Sequence, residues 1–400
     1  EKGIITFIFG LCFSGGILLT AIISGHIKKI GDKYQCYTVS DYLAIRYSNK
    51  CKIAGGIIYF FVSLFLMAAQ FVALSTFIHI LLGWSILLST IVSALIIIVY
   101  TSISGIKGVF YTDFIQFIIL SSIFIFVLVP LIINKSGGFV SLKALPPSYF
   151  KLTSKDILFI IGAFIFLVPS ISMGMDLWQR IFAADSVKTA RNSMIIAALI
   201  SIPFFAVITL IGMFSKILLP GIVPKMASVK IALSVLPKGL LGLCLAAFMS
   251  ALMSTADSML MVASTVLLKD FYPFLKKKDS PLLIKKNSTQ NIKHVRFVTF
   301  FVGVIGLLVA LAIPNIFNLI VMAISYLSIL LPSIIGGFFW KRSNSKAAFY
   351  SITIGFISAL ILIFKIPRFA FIPATLLSII IFISFSFIFK NSPEEKIALL

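Results

Sequence analysis

The sequence predicts an all-α protein that crosses a lipid bilayer about eleven times, and three observations predict it. Apolar residues make up 60% of the chain and charged residues only 12%, whereas soluble domains average about 45–50% and about 25%. The mean hydropathy of +1.13 leaves too few charged side chains to coat a water-exposed globule. The apolar residues also gather into eleven long stretches, each near the roughly 20 residues of α-helix that cross about 30 Å of hydrocarbon.

The stretches run approximately over residues 3–27, 52–82, 86–103, 111–133, 157–176, 193–217, 239–267, 296–313, 317–340, 347–364 and 370–389. Runs such as Phe117-Ile118-Ile119-Leu120 and Ile379-Ile380-Ile381 do not alternate in polarity, which excludes the strands of a transmembrane β-barrel. With the first residue placed outside, 23 of the 34 Lys and Arg residues lie in connections on the cytoplasmic side and 11 on the other. Positive residues are retained in cytoplasmic loops, so a cytoplasmic C-terminus is expected, in a bacterial inner (plasma) membrane. This placement also accounts for the net charge of +22, because basic residues scattered over short loops form no continuous face for nucleic acid. The chain opens on Glu1 directly ahead of an apolar run, with no initiator Met, basic leader or small-residue cleavage site, and is read as truncated at its N-terminus.

Along the chain, the paired glycines Gly15-Gly16, Gly55-Gly56 and Gly336-Gly337 predict close helix packing. Cys12 and Cys244 lie in apolar runs and Cys36 and Cys51 stand apart in one polar loop, with no CxxC or HxxxH spacing. No zinc or haem site is assigned, and no cofactor. Between the third and fourth stretches, Tyr100 to Val109 followed by Thr112-Asp113-Phe114-Ile115-Gln116 predicts a helical hairpin, with Thr112 or Asp113 capping the second helix. At the end of the fifth stretch Asp176 and Arg180 stand at i, i+4, a pair that serves either as a helix anchor or as a gate. Trp178 beside them fits the interfacial aromatic belt, while Gly174 and the preceding Pro169 offer a break of the kind through which transporters expose backbone to substrate. Lys276-Lys277-Lys278 reads as a solvated loop near anionic head groups.

The seventh stretch holds the densest intramembrane polar set: Ser250, Ser254, Thr255, Asp257 and Ser258. At 100° per residue Ser250, Ser254, Asp257 and Ser258 share one stripe with Thr255 beside it. Adjacent hydroxyls with the Ala251 carbonyl one turn earlier would offer a hard cation three oxygen ligands; the alternative is that the hydroxyls bond carbonyls of their own helix. Asp257 either neutralises a cation, carries a proton or pairs with a buried base, and the spans contain no evident Lys or Arg partner for it. With no second carboxylate or nucleophile–base pair on its helix face, an intramembrane enzyme is not the expectation.

Together these pieces resemble the sodium:solute symporter family. The matching segments are Thr38-Val39-Ser40-Asp41-Tyr42-Leu43-Ala44-Ile45-Arg46-Tyr47, the turn from Gly105 to Gln116, Trp178-Gln179-Arg180-Ile181-Phe182-Ala183-Ala184 with Ala190-Arg191, Met253 to Ser258 with Lys269-Asp270-Phe271-Tyr272, and Gly336-Gly337-Phe338-Phe339-Trp340-Lys341-Arg342. They follow the family's order and spacing over roughly residues 1 to 350. Ser104 and Gly108 depart from it, standing where a Gly and an Ala are usual.

The resemblance implies the LeuT-type inverted-repeat bundle. Residues 1–346 would hold core helices two to ten, core helix one being absent, and residues 347–400 two trailing helices with a short tail. It implies that Ser254 and Thr255 are the family's sodium-coordinating hydroxyl pair, with Ala251 a carbonyl ligand. The fifth stretch has no Asp before Asp176, which argues against a second, deeply placed sodium site. Substrate contacts are expected on the second, fifth and ninth stretches, from Gln70, Ser170, Ser172, Met173, Ser325 and Tyr326. The implied function is sodium-driven import of a small organic solute, proline first among the guesses; the alternatives are a transport-inactive remnant and a symporter-like membrane sensor.

Overall fold

The computed structural model describes residues 3–272, 289–366 and 370–389. Every regular element among the described residues is helical. In chain order the main elements are α1 (Ile4–Tyr34), a short α2 (Val39–Arg46), α3 (Asn49–Leu82), α4 (Ile86–Gly105), α5 (Gly108–Lys135), α6 (Ile160–Ser172), α7 (Met175–Ala183), α8 (Val187–Leu218), α9 (Lys238–Phe271), α10 (Lys293–Ala312), α11 (Ile316–Phe339), α12 (Ser345–Lys365) and α13 (Phe371–Ile388). Ten are long and apolar enough to span a membrane, and α6 with α7, bent by 41°, makes an eleventh. The triple-lysine segment 276–278 lies outside the described residues.

Polar residues at the mouths of the spans start the helices, because an N-cap side chain satisfies an amide that the first turn leaves unpaired. Ser48 accepts from Cys51 N, Ser85 from Leu88 N, Ser186 from Thr189 N, Asn315 from Asn318 N and Asn344 from Ala347 N. Thr38 and Asp41 close a reciprocal capping box on α2. Thr112 and Asp113, expected as caps, instead lie inside α5, where the Thr112 hydroxyl donates back to the Gly108 and Val109 carbonyls. The chain turns earlier, at Gly105, whose φ of 65° and ψ of −175° a side chain would strain.

Two prolines shape the spans. Pro130 and Pro169 each lack an amide hydrogen and crowd the carbonyl four residues back, and π turns at Phe124–Leu128 and Ala163–Leu167 precede them. The second of these distortions leads into the break between α6 and α7.

The core forms around α3 and α11, whose most apolar windows are each 67% buried, against 22% for α5, α8 and α9. α3 packs on α9, α11 and α4, α1 packs on α8, and α12 and α13 pair at the edge. Close approach depends on the paired glycines: a Cβ at Gly16 would stand 2.6 Å from Ile171 Cβ, and one at Gly336 2.3 Å from the Phe382 ring. Helix α2 lies across the same end of the bundle as the α11 terminus. Its Arg46 donates to the Gly337 carbonyl at 2.9 Å and to Ser343, Tyr42 stacks on Phe338 at 4.7 Å, and the Tyr47 hydroxyl donates to the Ser333 carbonyl at 2.7 Å.

Candidate functional site

The centre of interest is the break between α6 and α7. Met173 and Gly174 leave helical geometry there (Met173 φ −90°, ψ 1°; Gly174 ψ 123°), which frees backbone carbonyls that the helix would otherwise use. The freed groups are held: the Tyr59 hydroxyl of α3 donates to the Met173 carbonyl at 2.7 Å, and Trp178 Nε1 donates to the Ser172 carbonyl at 2.9 Å. Trp178 is therefore not an interfacial residue. It is 1% exposed and packs against Tyr42, Phe182 and Phe338, because its single donor finds a carbonyl inside the bundle.

Below the break, one guanidinium holds two carboxylates. Arg180 Nη1 lies 3.6 Å from Asp176 Oδ2, as the i, i+4 spacing predicts, and Nη2 lies 3.4 Å from Asp113 Oδ2 on α5. Ser258 of α9 completes the junction, 3.3 Å from Arg180 Nη2 and 3.4 Å from Asp113 Oδ2. A crevice of about 20 Å³ lined by Asp176, Arg180 and Ser258 is large enough for one water or small ion. The second carboxylate on Arg180 thus comes from the fourth stretch, as Asp113.

Asp257, one residue before Ser258, is fully buried and turns the other way. Its partner is no base: the Tyr100 hydroxyl of α4 donates to Oδ2, while Oδ1 is buried without a hydrogen-bond partner among the described residues. A buried acceptor left unpaired costs about 1–3 kcal/mol, and Asp270 Oδ2 near the end of the same helix is unpaired among the described residues in the same way. Asp113 Oδ1 and Gln116 Oε1 are buried and unpaired in the same way. Tyr100 was legible only as the single aromatic hydroxyl near the end of an apolar run.

On the same helix, the Ser254 hydroxyl donates to the Ala251 carbonyl at 3.2 Å. This is the alternative of a hydroxyl bonding its own helix: inside the continuous helix the Ala251 carbonyl accepts both this hydroxyl and the Thr255 amide, while the Ser254 oxygen keeps lone pairs for a further partner. Thr255 beside them is half-buried. Of the substrate candidates, Ser170, Ser172 and Met173 stand together at the end of α6. Ser170, Ser172 and Ser325 are buried and donate to carbonyls of their own helices. The Tyr326 ring packs among Phe61, Phe65 and Phe356, at 6.4, 5.7 and 5.0 Å. Met173 sits at the break through its backbone, and Gln70 is half-buried on α3.

A second polar cluster ties α2 to the end of α9. Lys52 Nζ lies 2.6 Å from Asp41 Oδ1 and 3.6 Å from Asp270 Oδ1, and the Thr38 hydroxyl donates to Asp270 at 3.0 Å. Outside the spans, burial first and the Asp41 charge second push the Cys36 thiol up to about 12, against the opposing charge of Lys52.

The sodium:solute symporter family matches residues 2–355 of this chain. Among curated relatives, a sodium/mannose cotransporter of Bos taurus is 24% identical over 329 residues, covering 70% of this chain and 54% of its own. A sodium/sialic acid symporter of Aliivibrio fischeri is 25% identical over 303 residues, covering 68% and 57%. A sodium/myo-inositol cotransporter of Mus musculus is 26% identical over 382 residues, covering 82% and 55%. The chain thus spans about half the length of the curated relatives it matches. A solved Na+-coupled sialic acid symporter, substrate-bound and outward-open, superposes with a TM-score of 0.75 at 21% identity, over 98% of this chain and 88% of that one. Mhp1 in its inward-facing conformation superposes at 0.51 with 13% identity, over 100% and 94%. These likenesses establish a LeuT-type helical fold, and with a family match across nearly the whole chain, this protein belongs to the sodium:solute symporter family.

Proposed function

We propose that this chain is the membrane core of a sodium-coupled secondary transporter that brings a small organic solute inward by alternating access. The observation that carries the reading is the broken span: the Ser172 and Met173 carbonyls leave the helical ladder and take side-chain donors from Trp178 and Tyr59, beside a closed Arg180–Asp113–Asp176–Ser258 junction. Broken helices that offer backbone at mid-membrane, with charged contacts at one end, are what an alternating-access site requires. Residues 1–346 form the transport core and 347–400 the trailing helices, with the C-terminus cytoplasmic.

In this reading Ala251, Ser254 and Thr255 bind sodium, Asp257 tunes ion or proton coupling, and Asp176 with Arg180 closes the cytoplasmic gate. Gln70, Ser170, Ser172, Met173, Ser325 and Tyr326 stand as substrate candidates, of which Met173 at the break is the best placed. One sodium moving through 100 mV supplies about 2.3 kcal/mol, enough to sustain a solute gradient of about fifty-fold. The names of the relatives, which carry mannose, sialic acid and myo-inositol, favour a polyhydroxylated solute over proline.

The test is uptake into proteoliposomes of labelled sialic acid, mannose, myo-inositol, glucose and proline, with and without an inward sodium gradient, using the full-length gene product. Sodium-dependent accumulation of a polyhydroxylated solute supports the reading. Accumulation of proline alone overturns the substrate class, and no sodium-dependent accumulation from folded protein returns the inactive-remnant or sensor alternatives. Ser254→Ala and Thr255→Ala should each raise the sodium concentration for half-maximal uptake; unchanged sodium dependence in both would sink the ion-site assignment.

A further inference from the structure

On the orientation proposed above, we propose that the groove between the end of α1 and the end of α11 is a binding site for an anionic phospholipid of the cytoplasmic leaflet. One exposed stripe of α1 carries Leu18, Ile22, His26, Lys29 and Lys33, spaced i, i+4, i+8, i+11 and i+15 so that all five face one way. Along that stripe the chemistry changes: Leu18 and Ile22 are 46% and 68% exposed, as lipid-facing residues are, and one turn later the same face becomes basic.

A cavity of about 180 Å³ opens where the change occurs, lined by His26, Lys29, Lys33 and Tyr34 on one side and by Tyr42, Arg46 and Phe338 on the other. Its lining contains no acidic residue. The carboxylate of this turn, Asp32, is taken by Lys28 at 2.6 Å, and among the described residues no ion pair is made by Lys29 or Lys33. Arg46 sits behind them, buried, its guanidinium held by Gly337 and Ser343. Lys29 and Lys33, the latter over the Tyr34 ring at 5.1 Å, thus border a recess whose lining holds no anion.

The opposite wall supplies the apolar half. Phe339 is 64% exposed, and the His26 ring meets Phe338 and Phe339 edge-on at 6.3 and 6.4 Å. At about 180 Å³ the recess is smaller than the roughly 300–1,000 Å³ of pockets that enclose drug-sized ligands. A phosphodiester fits within it, and the acyl chains lie outside against Ile22, Leu18 and Phe339. Basic recesses between membrane helices on the cytoplasmic side have the chemistry that holds such head groups, and a free anion would make no use of the apolar stripe.

The experiment is native mass spectrometry of the detergent-released chain titrated with phosphatidylglycerol or with phosphatidylcholine of the same acyl chains. The parent should retain phosphatidylglycerol selectively. Lys29→Gln with Lys33→Gln should weaken it about thirty-fold, which is about 2 kcal/mol at about 1 kcal/mol per cation and ten-fold per 1.4 kcal/mol. Lys29→Arg with Lys33→Arg should keep it, and so should Lys188→Gln with Arg191→Gln, which removes two exposed charges from the start of α8. Equal retention of phosphatidylcholine, undiminished binding by the double Gln variant, or an equal loss in the α8 control would each overturn the site. Displacement of the lipid by inorganic phosphate at comparable concentration would show that the recess reads a free anion, and the lipid assignment would fall.

Discussion

Tyr100→Phe removes one oxygen and no volume to speak of, so its effect isolates the hydrogen bond to Asp257. In the parent, Asp257 is fully buried, Oδ2 accepts from Tyr100 and Oδ1 has no partner among the described residues. Hydrogen bonds between membrane helices average about 0.6 kcal/mol in double-mutant cycles, and charge assistance roughly doubles a hydrogen bond. Burial of the carboxyl without a second partner raises the cost of losing the only one. A coupling of about 1–2 kcal/mol between the two side chains is therefore expected. The cycle compares parent, Tyr100→Phe, Asp257→Asn and the double variant by reversible unfolding in mixed micelles, with insertion confirmed for each. Two results would refute the reasoning: a coupling below about 0.3 kcal/mol, or a double variant less stable than the sum of the singles. In transport, Asp257→Asn should slow uptake while leaving the protein inserted, and unchanged uptake would move Asp257 to a purely structural role.

Arg180→Gln leaves Asp113 and Asp176 without their shared cation. With the guanidinium about a third exposed each pair is worth no more than about 1 kcal/mol, so the closed junction should weaken by at most about thirty-fold, read as faster alkylation of a cysteine placed in its crevice; no change in that rate would show that the junction is not a gate. Gly337→Ala should lower thermal stability by about 1–3 kcal/mol, since the new Cβ would stand 2.3 Å from the Tyr42 hydroxyl oxygen; adding Tyr42→Phe should recover part of the loss, and failure to recover any would place the clash elsewhere. Cys36, in a variant whose other three cysteines are Ser, should react slowly with maleimide at pH 8. With its thiol at about 12 the thiolate fraction there is about one in ten thousand, and because a raised value means the thiolate forms only at higher pH, the rate should climb about ten-fold per pH unit through pH 10. A plateau by pH 9 would contradict the burial that raises it.

The spanning segments were legible because their cause is local. A run of apolar residues must satisfy its backbone within itself in lipid, so the stretch read over residues 86–103 became Ile86–Gly105, and that over 193–217 became Val187–Leu218. The break at Gly174 was legible for the same reason, from a proline and a glycine a few residues apart. The i, i+4 pair of Asp176 and Arg180 followed from helical spacing alone. What linear reading misplaced depends on which segments meet. Thr112 and Asp113 looked like caps because they follow a glycine turn, yet the turn closes at Gly105 and carries both into the helix, where Asp113 reaches Arg180 across 67 residues of sequence. Trp178 looked interfacial because it sits near a span end, but α2 folds over it and a carbonyl at the break takes its donor. Asp257 has no Lys or Arg partner among the described residues, and its hydroxyl donor, Tyr100, escaped linear reading because it lies 157 residues earlier on another helix. Helices in a membrane are specified by their own composition, whereas the pairing of their few polar side chains is set by packing between faces, and no local pattern in the chain encodes it.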